Sequence, residues 1–320
     1  MKKVISIIIC AVMALGVFTA CSGNGNANTD SGKLKIITTI FPEYDWVRNI
    51  AGDKADITML LDNGVDLHSY QPTADDIIKI STCDVFVYVG GTSDSWVKDT
   101  LKDAVNKDMV VLNLLDLLGE NAKEEEEKEG MQAEEEEHEE GPEYDEHVWL
   151  SLRNAAVLCQ KISDALCEKD AANADFYKSN TTAYIEKLNA LDSQYKDAVS
   201  AAKQKTILFG DRFPFRYLTD DYGLDYYAAF VGCSAETEAS FETIMFLARK
   251  VDELGLTSIM QIETSDGSIA ETIKKNTKTG DQKILTIDSL QSVTAKDVES
   301  GSTYLSVMEK NLEVLKDALK

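Results

Sequence analysis

The chain has 320 residues, 44% hydrophobic and 28% charged, enough apolar material for two domains of ordinary size. Its 56 acids outnumber its 32 bases, and the net charge of -24 opposes nucleic acid and anionic lipid as partners while suiting the capture of cations. Six cysteines without a C-x-x-C pair exclude a zinc ribbon and a thioredoxin-type motif.

The first residues read as a secretory signal over 1–20. Met1-Lys2-Lys3 precede an apolar run at 4–18 and the small-residue exit Thr19-Ala20. That run is shorter than the roughly 20 residues a membrane-spanning helix takes. Cys21 follows Phe18-Thr19-Ala20, a placement that resembles a bacterial lipobox, although Phe18 stands where Leu is commonest. Lipidation of Cys21 and a membrane anchor are therefore expected, followed by a Ser/Gly/Asn-rich tether over 21–32.

Strands and helices then alternate through an N-terminal lobe at 33–170. Strand patterns cover 34–39, 57–61, 84–89 and 109–112, and helical spacing covers 41–51, 73–80, 95–105 and 150–167. An acidic loop at 120–146 breaks this rhythm. Its 124–146 stretch holds 14 acids against the single Lys128, has no apolar face, and predicts a mobile, solvated loop. A long helical pattern follows, with Tyr177, Tyr184, Leu188, Leu191, Tyr195 and Val199 on one side and no Gly or Pro. It predicts one stiff linking helix within 171–203.

The alternation resumes in a C-terminal lobe at 204–320. Strands are expected at 206–209, 224–230, 258–262 and 284–287, and helices at 215–221, 241–254, 269–277 and 304–319. The fold class is thus α/β, two lobes that are each a mainly parallel sheet flanked by helices, joined by one long helix. Ligands of such sheets sit outside the carboxyl ends of strands. Residues just after strands are the ones to inspect.

Two of the three histidines stand in notable places. His68 follows the second strand in Leu67-His68-Ser69-Tyr70-Gln71-Pro72, and His147 precedes a helix in Asp145-Glu146-His147-Val148-Trp149. Imidazoles near carboxylates suit a borderline divalent metal. Of the cysteines outside the leader, Cys159 and Cys167 are eight apart on one helix, about 12 Å along its axis and too far for a disulfide. Cys83, Cys159, Cys167 and Cys233 read as buried thiols, with Cys233 also able to ligate zinc. The chain lacks H-E-x-x-H, G-x-S-x-G and a P-loop, which opposes a metal-dependent hydrolase.

Together these pieces resemble the metal-specific solute-binding lipoproteins of ABC importers, the zinc and manganese family that includes the metal adhesins. The resemblance covers 33–320 and is carried by Phe41-Pro42 with Ile50-Ala51-Gly52-Asp53, by His68-Ser69-Tyr70-Gln71-Pro72, by His147-Val148-Trp149-Leu150-Ser151, and by Tyr304-Leu305-Ser306-Val307-Met308-Glu309-Lys310-Asn311-Leu312. It implies no enzymatic reaction. What it implies is extracytoplasmic binding of a transition metal, zinc before manganese, and delivery to an ABC permease by a lipid-anchored monomer. A surface adhesin is the alternative.

The resemblance further implies two metal ligands from each lobe. His68 and His147 match the N-lobe pair and Asp288 the acidic C-lobe ligand. At the fourth position relatives carry His or Glu, whereas this chain has Arg212 in that column. Arginine cannot ligate, so Asp211, one residue earlier, is expected to serve. It could also cap the following helix, as Asp288 could cap a turn. Glu263 is a reserve ligand or supporting base. Arg212 and Arg216 are expected to pair with acids inside the C-terminal lobe. The acidic stretch, with His138, stands where zinc-type relatives carry a charged, often His-rich loop, and is a candidate auxiliary metal loop.

Overall fold

β-Branched and aliphatic runs form two four-stranded parallel sheets, because helices cover both faces of each. In the computed structural model, residues 32–132, 143–234 and 238–320 are described. Cys21 and the leader lie outside them, as does His138. Of the first unit, Met1–Lys33, only the last two residues are described. The unit Leu34–Lys320 carries everything that follows. Among the described residues no helix is long and apolar enough to cross a membrane.

The first sheet contains β1 (Leu34–Thr38), β2 (Ala55–Met59), β3 (Val85–Tyr88) and β4 (Val110–Asn113), in the order β2-β1-β3-β4. The second contains β5 (Thr206–Phe213), β6 (Asp225–Val231), β7 (Ser258–Ile262) and β8 (Lys283–Ile287), in the order β6-β5-β7-β8. Both orders reverse beside their first strand, and such a reversal opens a crevice at the carboxyl ends.

Helix α1 (Phe41–Ala51) starts where the Glu43 carboxylate accepts the amides of Thr39 and Ile40, and it buries Trp46, Val47 and Ile50. Helices α2 (Ala74–Thr82), α3 (Val97–Lys102) and α4 (Leu114–Leu118) complete the first βα repeats, and α5 (Leu152–Lys169) follows the acidic stretch. Helix α6 (Ala174–Ala201) buries the expected Tyr/Leu stripe against α5 and α1. The C-terminal lobe carries α7 (Arg216–Tyr222), α8 (Phe241–Leu254), α9 (Ser268–Lys275), α10 (Ala295–Glu299) and α11 (Tyr304–Ala318). The short helices α4 and α10 are absent from the sequence reading, since five residues are too few to show a helical period.

One apolar cluster extends from Ile36 to Leu319, so the two lobes share a core. Its centre is polar as well as apolar. Asp45 of α1, fully buried, accepts the amide of Tyr304 at 3.0 Å, and the Tyr304 hydroxyl donates to the carbonyl of Trp149 at 2.6 Å. The Trp149 indole donates to the carbonyl of Ser289 at 2.8 Å, and Tyr195 of α6 donates to Met308 of α11 at 2.6 Å. The last helix thereby ties back to the first lobe.

The acidic stretch is not a free loop where it is described. Glu124 bridges to Tyr144, and 123–132 runs along β6, the outer strand of the second sheet. The Gln132 amide donates to the carbonyl of Ala229 at 2.9 Å, Lys123 donates its amide to the Tyr217 hydroxyl, and Lys128 pairs with Asp225 above the ring of Tyr226. An open sheet edge offers unpaired backbone groups, and Lys128 and Arg216 supply the countercharge. Composition reports neither.

Two measurements probe this framework. Trp149→Phe strands the buried Ser289 carbonyl and is expected to lower stability by about 1–3 kcal/mol in denaturant unfolding; an unchanged midpoint would refute the tie. Burial also raises the Asp94 carboxyl from 3.8 to about 6, although it accepts the Gly90 amide at 3.0 Å. A carboxyl raised in this way stabilises below its unfolded pKa, and that contribution is lost as pH rises through about 6. Asp94→Asn is expected to match the parent near pH 4 and to exceed it above pH 6 by on the order of 3 kcal/mol. Parallel pH profiles of unfolding would contradict this.

Candidate metal centre

His68 stands in the turn Leu67–Ser69 beyond β2, whose geometry Asp66 sets by accepting the His68 amide at 3.0 Å. His147 begins the turn that leads into α5. Its neighbour Asp145 accepts both the His147 amide, at 2.8 Å, and the ring Nδ1, at 2.9 Å. The His147 ring is 0% exposed and packs against Trp149 and His68.

The Asp145 carboxylate accepts from His147 Nδ1, which places a hydrogen on that nitrogen and turns Nε2 toward His68. His68 Nδ1 lies 2.8 Å from Ser93 Oγ, a hydroxyl that can donate or accept, and 3.6 Å from Glu146 Oε2. The two Nε2 atoms then face each other at 3.2 Å. That separation suits an N–H···N hydrogen bond in one tautomer pair and the bridging of both nitrogens by one cation in another. Burial first, and His147 second, hold the His68 imidazole well below its usual range, so it stays neutral and able to donate its pair.

Glu146 supports the floor of this site. Burial, with Asp94 and Asp145 adding to it, pushes its carboxyl up to about 8 against the hydrogen bonds from Ser93. A Cβ on Gly91, which sits at φ +77, would meet the Glu146 carboxylate at 2.3 Å. That glycine makes room for the acid.

Cys233 arrives from the other lobe, two residues beyond β6. Its sulfur and one ring nitrogen from each histidine lie within 4.8 Å of one another, and among the described residues no carboxylate joins the three at that spacing. Burial, then Glu146, Glu125 and Asp145, push the thiol well above its usual range. The signal in the sequence was a cysteine after a strand with glycine before it. Spacing alone could not say that β6 ends against His147.

The remaining candidates stand around this trio. The strand β5 runs to Phe213, so Asp211 lies within it, at an irregularity between Phe209 and Arg212, not just after it. Its oxygens accept the amides of Arg212 at 2.9 Å and of Ile262 at 3.3 Å. Asp288 follows β8 and accepts the amide of Leu290, whose φ is 61. Burial and the nearby Glu263 raise the Asp288 carboxyl. Glu263 itself accepts from the Ser289 amide and from the hydroxyls of Ser289 and Ser292, bracing the loop that holds Asp288.

Arg212 departs from the expected pairing within its own lobe. It reaches across to Asp66, beside His68, and its Nη1 donates to the carbonyl of Ser234 at 3.5 Å. The nearest uncompensated acid was on the other lobe, which only the fold reveals. Arg216 pairs with Asp220 at 3.8 Å in its own helix and with Glu126 of the acidic stretch at 3.7 Å.

Known proteins share this arrangement of lobes. The crystal structure of the Zn(II)-bound ZnuA-like domain of Streptococcus pneumoniae AdcA superposes with a TM-score of 0.72 at 32% identity, covering 90% of this chain and 99% of that one. The metal-dependent lipoprotein YcdH of Bacillus subtilis gives 0.74 at 27% identity, covering 90% of this chain and 99% of that one. In sequence, the zinc-binding lipoprotein AdcA of Streptococcus pneumoniae is 35% identical over 320 residues, 99% of this chain and 61% of that protein. The chain therefore spans about three-fifths of the length of that curated relative. The high-affinity zinc uptake system protein ZnuA of Bacillus subtilis is 29% identical over 315 residues, 96% of each chain. A family model described as zinc-uptake complex component A, periplasmic, matches residues 36–318, and this chain belongs to that family.

Proposed function

We propose that this protein captures a zinc ion outside the cytoplasm, between its two lobes, and hands it to the permease of an ABC importer. The observation that carries the reading is the pair of imidazole Nε2 atoms facing each other at 3.2 Å, with His147 Nδ1 held by Asp145 and His68 Nδ1 by the Ser93 hydroxyl. Imidazole nitrogen suits zinc better than manganese, which prefers oxygen, and the relatives named above bind or take up zinc. The capture involves no reaction. Protons leave, a metal enters, and the ligand set closes around it.

Within this reading His68 and His147 hold the ion from the first lobe. Asp288 is the better placed of the two expected carboxylates, since its loop is braced by Glu263 and Asn311. Asp211 has both oxygens on backbone amides, which favours a part in joining β5 to β7. Cys21 would anchor the protein to the membrane by lipid. His138 and the glutamates around it would raise the local cation concentration. The protein works as a monomer.

Competitive zinc titration checks the reading. His68→Ala and His147→Ala are each expected to weaken binding by more than about 100-fold, and Asp145→Asn, which leaves the ligands but loosens His147, by about 10–100-fold. Unchanged affinity in both histidine variants, with circular dichroism showing them folded, would sink the proposal. Asp288→Ala should weaken zinc with little change in unfolding, whereas Asp211→Ala should lower the unfolding midpoint more than it weakens zinc. The reverse pattern would exchange the two assignments.

A further inference from the structure

We infer that Cys233 is a metal ligand, so that the second lobe contributes a thiolate to a mixed nitrogen–sulfur zinc site. The inference rests on the zinc-capture reading above and extends it to a residue type that carries selectivity. Three observations support it, and each concerns a different part of the turn.

The first is spacing. A tetrahedral zinc with bonds of about 2.0–2.1 Å to nitrogen and about 2.3 Å to sulfur needs donor atoms about 3.3–3.6 Å apart. The two Nε2 atoms are already 3.2 Å apart, and the sulfur lies within 4.8 Å of a ring nitrogen of each histidine. The sulfur must draw in from that range to reach tetrahedral spacing, a distance within the reach of side-chain rotation.

The second is that the turn is built to approach the histidine. A Cβ on Gly232 would meet the Phe213 carbonyl at 3.0 Å and the His147 ring at 3.1 Å. A side chain at this position would press on both, so glycine eases the close pass of the end of β6 beside that imidazole, and the next side chain along is the thiol. The Cys233 amide donates to Glu125 Oε1 at 3.1 Å, so the docked acidic stretch fixes the turn from outside. Arg212 holds the Ser234 carbonyl on one side and Asp66 on the other, linking the turn of Cys233 to that of His68.

The third is the state of the sulfur. Cys233 is free, as are Cys83, Cys159 and Cys167, and its sulfur is grouped with the two histidines alone. Coordination would form a zinc–sulfur bond and release the thiol proton to solvent. No oxidant or reductant takes part. A thiolate is a soft ligand, which favours zinc, and experimentally cobalt or cadmium, over manganese.

The full chain, reduced and held in detergent, should be titrated with cobalt(II) in place of zinc. A near-ultraviolet thiolate-to-cobalt charge-transfer band is expected on binding one equivalent, and Cys233→Ser should abolish that band while the weaker visible cobalt bands persist. Zinc affinity should fall at least about 10-fold in Cys233→Ser, and the preference for zinc over manganese should narrow. Cobalt binding to the unaltered chain with no charge-transfer band would overturn the thiolate and leave metal capture standing. So would unchanged zinc affinity in Cys233→Ser. Failure of the unaltered chain to bind either metal would instead overturn the capture reading. The unaltered chain's own spectrum decides the matter even if the variants fold poorly.

Discussion

The segment from Asp145 to Leu150 lies buried between the two sheets, every residue in it at most 2% exposed. Burying a stretch so rich in polar groups calls for partners, because an unmet donor or acceptor costs about 1–3 kcal/mol. Those partners come from across the molecule. Asp145 takes the His147 amide and ring, Glu146 takes the Ser93 amide, Trp149 reaches Ser289, and Tyr304 reaches the Trp149 carbonyl. The same bonds orient His147 and join the lobes. Site geometry and lobe packing are one constraint, not two.

In the proposed capture reading that coupling sets the site before an ion arrives, since the two imidazoles already stand with their Nε2 atoms 3.2 Å apart. The charge distribution follows the same logic. Carboxyls near the centre are buried, and burial raises Glu146 and Asp94 toward their neutral forms, which limits repulsion among them. The described part of the acidic stretch is fastened to β6 through Lys128 and to α7 through Arg216.

Arg212 shows how one residue can redirect a site. A guanidinium beside a cation would repel it, yet here the charge is spent on Asp66, and the same group holds the carbonyl of Ser234. It therefore braces the two turns that bear His68 and Cys233. Among the described residues, the thiol that this turn presents is the second-lobe donor grouped with the two histidines.

Much of the fold was legible in the residues themselves. Alternating β-branched runs and helical periods marked all eight strands, and helices such as Phe41–Ala51 and Phe241–Leu254 fall where the spacing placed them. Local propensity and burial period are properties of neighbouring residues, so they survive without the third dimension. His68 and His147 also stood out, because rare imidazoles beside a strand end and before a helix are visible in one dimension. What the sequence could not decide was which distant groups meet. The true end of β5, the docking of 123–132 on β6, the crossing of Arg212 to Asp66 and the approach of Cys233 to His147 all depend on contacts between residues 80 to 150 positions apart or on sheet register. Such contacts carry no periodic signal along the chain; they exist only once packing has brought the carboxyl ends of both sheets to the same place.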